Sequence, residues 1–515
     1  MYLTQGLHRA LQQTPDAVMT ICGRRKRTFR EVADRVARLA GALRGLGVAD
    51  GDRVAILSLN SARYLEYLLA VPWANAMLNP VNTRWSSAEI VYSLSDSDTT
   101  VVFVDDAYAT MLPAIKEAYP EMATVIHCGD GSAPDGTLSY EQLLADTEPI
   151  EDARRGGDEL AGLFYTGGTT GFPKGVMLSH AAILTSSFGA IASGYLFGPR
   201  PRYLHAAPMF HLADLSGFAA VTLLGGTHVI LPRFDPLATM SAIQTHNVTD
   251  ALLVPTMVQA VVDHPELPNR DLSSLRTLLY GASPIPPTVL ERARKALPHT
   301  SFTQAYGMTE LGPIATLLGP DDHREARLLR SAGRAAPHIE VRIVDETGAQ
   351  VPRGTAGEIV ARGGNMMLGY WNKPDETAAA IRDGWMHTGD GGYMDEQGYV
   401  FVVDRLKDMI VTGAENVYSV EVENAVSRHP GVAQCAVIGV PDEDWGERVH
   451  AVVVLMPGQQ ATSREIREHA KKFIAGYKAP RSVEFVAELP LSGAGKVLKV
   501  ELRKQYWGGT GRQVH

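Results

Sequence analysis

The chain has 515 residues, 45% of them hydrophobic and 20% charged, with a formal net charge of −9. At roughly 100–200 residues per domain, that is two to four domains and a core large enough to fold without a metal or disulfide staple. The composition excludes a mainly disordered chain, a collagen-like one and a small disulfide scaffold, and the mild acidic balance argues against a dedicated nucleic-acid binder while leaving room for anionic small ligands.

The predicted elements begin with Thr28-Phe29-Arg30-Glu31, which has capping-box spacing. Val32, Val36, Leu39, Ala40 and Leu43 follow at helical period. Asp52–Leu57 reads as a buried strand, Tyr64–Ala74 as a helix, Val101–Val104 as a strand and Ala107–Ala118 as a helix. This alternation predicts a mostly parallel sheet covered on both faces. Strands are expected at Tyr203–Ala207, His228–Leu231 and Leu275–Tyr280, and helices at Leu237–His246 and Pro287–Ala296. From Ile339 the pattern changes to short β-like runs between Gly-rich turns (Glu340–Val344, Glu358–Ala361, Tyr399–Val403), a smaller β-rich unit. A final α+β stretch has helices at Ser419–Ser427 and Ser463–Phe473 and strands at Gln434–Gly439, Val449–Leu455 and Ser482–Phe485. The main boundary is placed at Arg405–Lys407, giving units of residues 1–405 and 406–515.

Cys22, Cys128 and Cys435 are far apart in sequence, so metal or redox CxxC spacing is absent and reduced thiols are expected. The N-terminus lacks the apolar run of a signal peptide, and Gly, His, Pro or Gln interrupt the longest apolar stretches, so neither looks like a membrane span. A cytoplasmic enzyme is the default expectation.

Tyr165-Thr166-Gly167-Gly168-Thr169-Thr170-Gly171-Phe172-Pro173-Lys174-Gly175 is the most informative segment. Glycines let successive backbone N–H groups face one way, threonine hydroxyls add rotatable donors, and Lys174 adds charge. A polyphosphate cradle needs these features. A plain flexible turn shares the composition, and the Gly-Lys-Ser/Thr ending of a Walker loop is missing, because Lys174 precedes Gly175.

Four further segments carry chemistry. Gln304-Ala305-Tyr306-Gly307-Met308-Thr309-Glu310 offers an aromatic for stacking, a hydroxyl and a carboxylate suited to Mg2+ beside phosphates. Trp385-Met386-His387-Thr388-Gly389-Asp390 puts another carboxylate in a Gly-containing turn. Asp404-Arg405-Leu406-Lys407-Asp408 is a dense charge run that, alone, reads as a solvated surface turn. Ser492-Gly493-Ala494-Gly495-Lys496 ends on a lysine that, alone, reads as exposed and structural.

In this order and spacing the five segments resemble the adenylate-forming acyl-CoA synthetases, over essentially the whole chain. The resemblance implies an α/β architecture: a large N-terminal domain of mostly parallel sheets covered by helices, with the small β-rich unit, then a small mobile α+β C-terminal domain. It implies an acyl-adenylate made from Mg·ATP and a carboxylate, then transfer to a thiol, normally that of CoA. By the same resemblance Thr166, Gly167, Gly168, Thr169, Thr170, Gly171 and Lys174 hold the β/γ-phosphates. Gln304, Ala305, Tyr306 and Gly307 form the nucleotide wall with Gly281, Ala282 and Ser283, Tyr306 stacking on adenine. Thr309 touches the α-phosphate, Glu310 and Thr166 serve Mg2+, and Asp390 with Arg405 holds the ribose. Lys496 bridges the carboxylate and the α-phosphate, and His211 sits beside the acyl carboxylate. Lys407 is the hinge, and Gly413, Ala414, Glu415 and Asn416 line the thiol tunnel. Two positions depart from the family pattern: many relatives have Ser where Gly167 stands and a second Gly where Ala414 stands.

By analogy the acyl pocket lies among His205–Gly217, Leu253–Met257, Gly281–Pro284 and Tyr306–Pro313, rich in Ala, Leu, Met, Phe and Gly. No arginine stands out to pair a second carboxylate, and Asp214 would repel one if it faced the pocket. An apolar monocarboxylic acid is expected, a fatty acid first and an aryl or arylpropenoic acid second. Transfer to a carrier-protein thiol or an amine, a binding-only regulatory role and a homo-oligomeric state stay open.

Overall fold

The computed structural model describes residues 1–166, 173–405, 408–412, 415–442, 445–492 and 496–507; residues 404, 405, 411, 415, 416 and 446 are described by their backbone alone. Among the described residues, two large sheets form the body of the N-terminal region. In one, six parallel strands run in the order Ser301–Tyr306, Thr277–Gly281, Asp250–Leu252, Arg202–His205, Thr227–Ile230 and Val18–Cys22, with antiparallel strands at the two edges. In the other, Leu160–Thr166, Met77–Pro80, Arg53–Leu57, Val101–Val104 and Thr124–His127 are parallel, and Lys174–Ser179 returns antiparallel against Leu160–Thr166.

Four helices contribute to the main apolar core. Phe29–Gly45 starts on the expected capping box, Thr28 accepting from the Glu31 N–H while the Glu31 side chain accepts from the Thr28 N–H. Every residue of Ala62–Trp73 and nearly every residue of Leu212–Leu223 is buried, whereas His180–Ala192 leaves Phe188 exposed. Leu39, Tyr67, Leu184 and Phe218 from these helices share one core with Leu78 and Phe103 of one sheet and Tyr203 of the other.

The β-rich unit is a five-stranded sheet of Ile339–Val344, Gly357–Gly363, Ile381–Arg382, Trp385–Met394 and Val400–Arg405. The C-terminal region has its own sheet and its own core of Ile410, Val422, Val437, Val453 and Ile466, which makes it a separate small domain. Most expected elements agree to within a few residues. The helix expected from Ala107 is shorter: a 3-10 turn at Ala109–Met111 precedes the helix Leu112–Ala118. The Trp385–Asp390 segment, expected as a turn, is part of a strand with a bulge. The three cysteines are free, and among the described residues no helix is long and apolar enough to cross a membrane.

Candidate active site

In α/β sheets ligands usually lie outside the carboxyl ends of the parallel strands. Thr277–Gly281 ends at Gly281, Ser301–Tyr306 at Tyr306, Leu160–Thr166 at Thr166, and Arg202–His205 runs into the segment bearing His211. Gly167, Gly168, Thr169, Thr170 and Gly171 lie outside the described residues, as do Lys407, Gly413 and Ala414. Arg405, Glu415 and Asn416 are seen as strand members only.

Gly281 and Gly307 are both required by close backbone approach. A Cβ on Gly281 would sit 2.3 Å from the Ala305 carbonyl oxygen, and one on Gly307 would sit 2.0 Å from the Pro313 carbonyl oxygen. Ala282 has φ +66°, a conformation L-residues adopt at a cost of about 1 kcal/mol, and it is exposed where the strand ends. Gly307→Ala is expected to destabilise the protein by about 2–3 kcal/mol, because the obstructing atom is backbone and cannot step aside. Thermal denaturation reads this directly, and an unchanged midpoint would contradict the stated clash.

Tyr306 and Asp390 meet between the large sheet and the small β-rich sheet. The Tyr306 hydroxyl donates to Asp390 Oδ2 at 2.7 Å. Asp390 gets there through the bulge. Glu358 faces Gly391 and Val360 faces His387, so Thr388, Gly389 and Asp390 all stand opposite Ile359. Gly389 takes φ +71°, its N–H donates to Glu358 Oε1 at 3.1 Å, and Thr388 Oγ1 donates to the Ile359 carbonyl at 2.7 Å. An extra length of strand held this way re-aims a side chain. On its other edge Asp390 is in register with Arg405.

Glu310 lies in the 3-10 turn Thr309–Leu311 and is buried. The Tyr370 hydroxyl donates to its Oε1 at 2.8 Å, and its carbonyl accepts from the Met367 N–H at 2.9 Å. Burial, and then the Glu310 carboxylate, push the Tyr370 phenol well above its ordinary range, so Tyr370 remains the donor. The ring of Tyr370 also lies 5.1 Å from Lys174 Nζ, and Lys174 is paired with Glu376. Tyr370 stands on a short strand in register with Val176, just past Lys174. Segment 365–370 therefore ties the Glu310 turn to the strand Lys174–Ser179. Tyr370 and Glu376 were not legible in the sequence, because neither sits in a motif with distinctive spacing.

His211 caps the helix Leu212–Leu223 and stacks tilted on Phe210 at 4.2 Å. The segment before it is held from the other sheet. Buried Asn60 donates to the Ala207 carbonyl and accepts from the Met209 N–H, both at 2.8 Å. Asp214 is buried, with His205 Nδ1 at 2.6 Å and the Tyr203 hydroxyl donating to it at 3.3 Å. His205 continues the chain to His228 at 2.9 Å, and burial pushes the His228 pKa down. A first-turn carboxylate pinned to the preceding strand by a fully buried histidine shapes this segment from behind, so Asp214 carries no argument about substrate charge.

Lys496 is half-buried, and its backbone pairs with that of Ser492. Its N–H donates to Ser492 Oγ at 3.1 Å, and its carbonyl accepts from the Ser492 N–H at 2.6 Å.

Mainly parallel sheets with carboxylates near their strand ends, and a separate small domain carrying a second lysine, are compatible with a nucleotide-dependent acyl-activating protein. Comparison with known proteins agrees. Residues 7–371 match the AMP-binding enzyme model and residues 421–496 the AMP-binding enzyme C-terminal domain. A feruloyl-CoA synthase of Amycolatopsis sp. is 42% identical over 97% of this chain and 98% of that protein. A medium/long-chain-fatty-acid–CoA ligase of Mycobacterium tuberculosis is 36% identical over 98% of this chain and 90% of that protein. The solved amide bond synthetase McbA of Marinactinospora thermotolerans superposes with a TM-score of 0.87 at 31% identity, covering 98% of this chain and all of that one. The chain belongs to the adenylate-forming AMP-binding enzymes, in the acyl-CoA ligase family.

Proposed function

We propose that the protein is an AMP-forming acid–thiol ligase that joins an apolar arylpropenoic acid to CoA through an acyl-adenylate. The observation that carries the acid class is the 42% identity, over nearly the full length of both chains, to a protein named feruloyl-CoA synthase, against 36% for the fatty-acid ligase. This ordering moves the aryl class ahead of the fatty acid that the pocket composition alone put first. The half-buried residues Gln304–Thr309, with the aromatic Phe210 and His211, are side chains that suit a flat apolar acid.

The physical difficulty is that a carboxylate must reach an anionic phosphate. Preorganised positive charge answers it, acting most strongly on the charge that develops at the transition state. In this reading Thr166 to Lys174 cradle the β/γ-phosphates, with Lys174 oriented by Glu376 and the face of Tyr370. Tyr306 stacks on adenine while its hydroxyl braces Asp390, whose carboxylate accepts from the ribose hydroxyls with help from Arg405. Thr309 contacts the α-phosphate, Lys496 neutralises the meeting anions, and His211 orients the acid. Glu310, a hard oxygen donor fixed by Tyr370, with Thr166, suits Mg2+, which when bound screens phosphate charge. The unit boundary falls between residues 405 and 406, with Lys407 as the hinge that withdraws Lys496 and brings Gly413 to Asn416 to the thiol path.

Incubation with Mg·ATP and ferulate, cinnamate, benzoate, octanoate or dodecanoate, with and without CoA, tests this. Mass spectrometry is expected to find the aryl thioester, with kcat/KM for ferulate about tenfold or more above dodecanoate. The reverse order would restore the fatty acid. Adenylate accumulating in the presence of CoA would favour an amine or carrier-protein acceptor, the reading that the likeness to an amide bond synthetase supports. Absence of AMP with every acid would overturn the ligase reading.

A further inference from the structure

The Ser492–Lys496 backbone pairing is reached from the large domain by the side chain of Arg84. Arg84 Nη1 donates to the Ser492 carbonyl at 2.8 Å, a contact between residues 408 apart in sequence. Ser492 is the root of that pairing. Its N–H donates to the Lys496 carbonyl, its hydroxyl accepts from the Lys496 N–H, and its neighbour Leu491 bridges Val497 antiparallel. The N–H, the hydroxyl oxygen and the carbonyl of Ser492 are thus all engaged, two by Lys496 and one by Arg84.

The loop that offers Arg84 is itself shaped locally. Asn82 Oδ1 accepts from the Arg84 N–H at 3.0 Å, and the Asn82 carbonyl accepts from the Trp85 N–H at 3.2 Å. Trp85 then meets Tyr165 edge-on, with ring centroids 6.4 Å apart. Tyr165 directly precedes Thr166 and is held by its hydroxyl to Asp96 at 2.7 Å. The four residues Asn82–Trp85 therefore touch both the strand Leu160–Thr166 and the segment that carries the C-terminal lysine.

We infer that Arg84 is a positioning residue for the adenylation half-reaction alone. It registers the Lys496 segment against the phosphate-loop strand while the acyl-adenylate forms, and it releases the segment when the small domain moves. The contact suits release: Arg84 is exposed and makes one bond to a neutral carbonyl, so water replaces the partner at little cost. The inference rests on the role of Lys496 proposed above.

The test separates the half-reactions, using ferulate or whichever acid of the screen the wild type turns over. Arg84→Ala is expected to lower kcat/KM for pyrophosphate release about five- to tenfold. It should change thioester formation from supplied acyl-adenylate less than twofold, with an unaltered melting midpoint. Arg84→Lys, which keeps a donor, should recover most of the loss. In a Lys496→Ala background, Arg84→Ala should add less than about twofold, because the residue it positions is gone. Equal loss in both half-reactions, or the full loss recurring without Lys496, would overturn the inference. Undiminished pyrophosphate release by Lys496→Ala alone would instead overturn the lysine's role.

Discussion

Lys496→Ala is expected to lower pyrophosphate release from Mg·ATP and acid by about a hundredfold or more, while leaving thioester formation from supplied acyl-adenylate within about threefold. The asymmetry follows from where charge develops. In the first half-reaction a carboxylate approaches the α-phosphate, and the ammonium offsets two anions as they merge. In the second the adenylate is already made, and the leaving AMP takes its negative charge without needing that lysine. Lys496→Arg is not expected to restore activity, because a planar guanidinium is bulkier than the compact ammonium and directs its donors differently. The Ser492–Lys496 pairing itself should survive both changes, since its hydrogen bonds run through the Lys496 backbone and Ser492. Equal loss in the two half-reactions would count against a charge-bridging role.

Glu310→Gln is expected to lower kcat/KM for Mg·ATP by about a hundredfold, with the melting midpoint shifted by only a few degrees. The substitution is chosen because an amide oxygen still accepts from Tyr370, whose hydroxyl lies 2.8 Å from Glu310 Oε1. Packing and the bond persist; the charge is lost. Tyr370→Phe makes the opposite change. It keeps the Glu310 charge and removes a buried donor, at a cost of about 1–3 kcal/mol in stability or orientation. A loss of about tenfold in kcat/KM is expected, partly recovered at higher Mg2+. Steady-state kinetics across a Mg2+ series separates the two variants. A Glu310→Gln protein with wild-type kinetics would assign Glu310 to structure alone.

The sequence by itself determined the local parts. The contiguous glycines and threonines of Thr166 to Lys174 made that stretch readable as one segment suited to a phosphate, though Gly167 to Phe172 lie outside the described residues. Capping-box spacing placed the start of the Phe29–Gly45 helix correctly, and alternating strand and helix periods gave the parallel sheets. The change of pattern near Ile339 marked the small β-rich sheet. The order of five short segments was enough to place the chain among adenylate-forming enzymes.

Only the tertiary structure decided which side chains meet. Tyr370 reaches Glu310 across 60 residues, Tyr306 reaches Asp390 across 84, and Arg84 reaches Ser492 across 408. No local period encodes such pairs; sheet order and domain docking bring them together. The same reason corrected Asp214, whose acidic character suggested a pocket wall until its burial against His205 and Tyr203 was visible. A Gly-containing turn and a strand bulge share one composition, so the aim of Asp390 depended on its partner strand Gly357–Gly363 rather than on its own neighbours. Chemistry that needs neighbouring backbone is written locally in this protein, whereas the orientation of each charged group is set by residues that only folding makes adjacent.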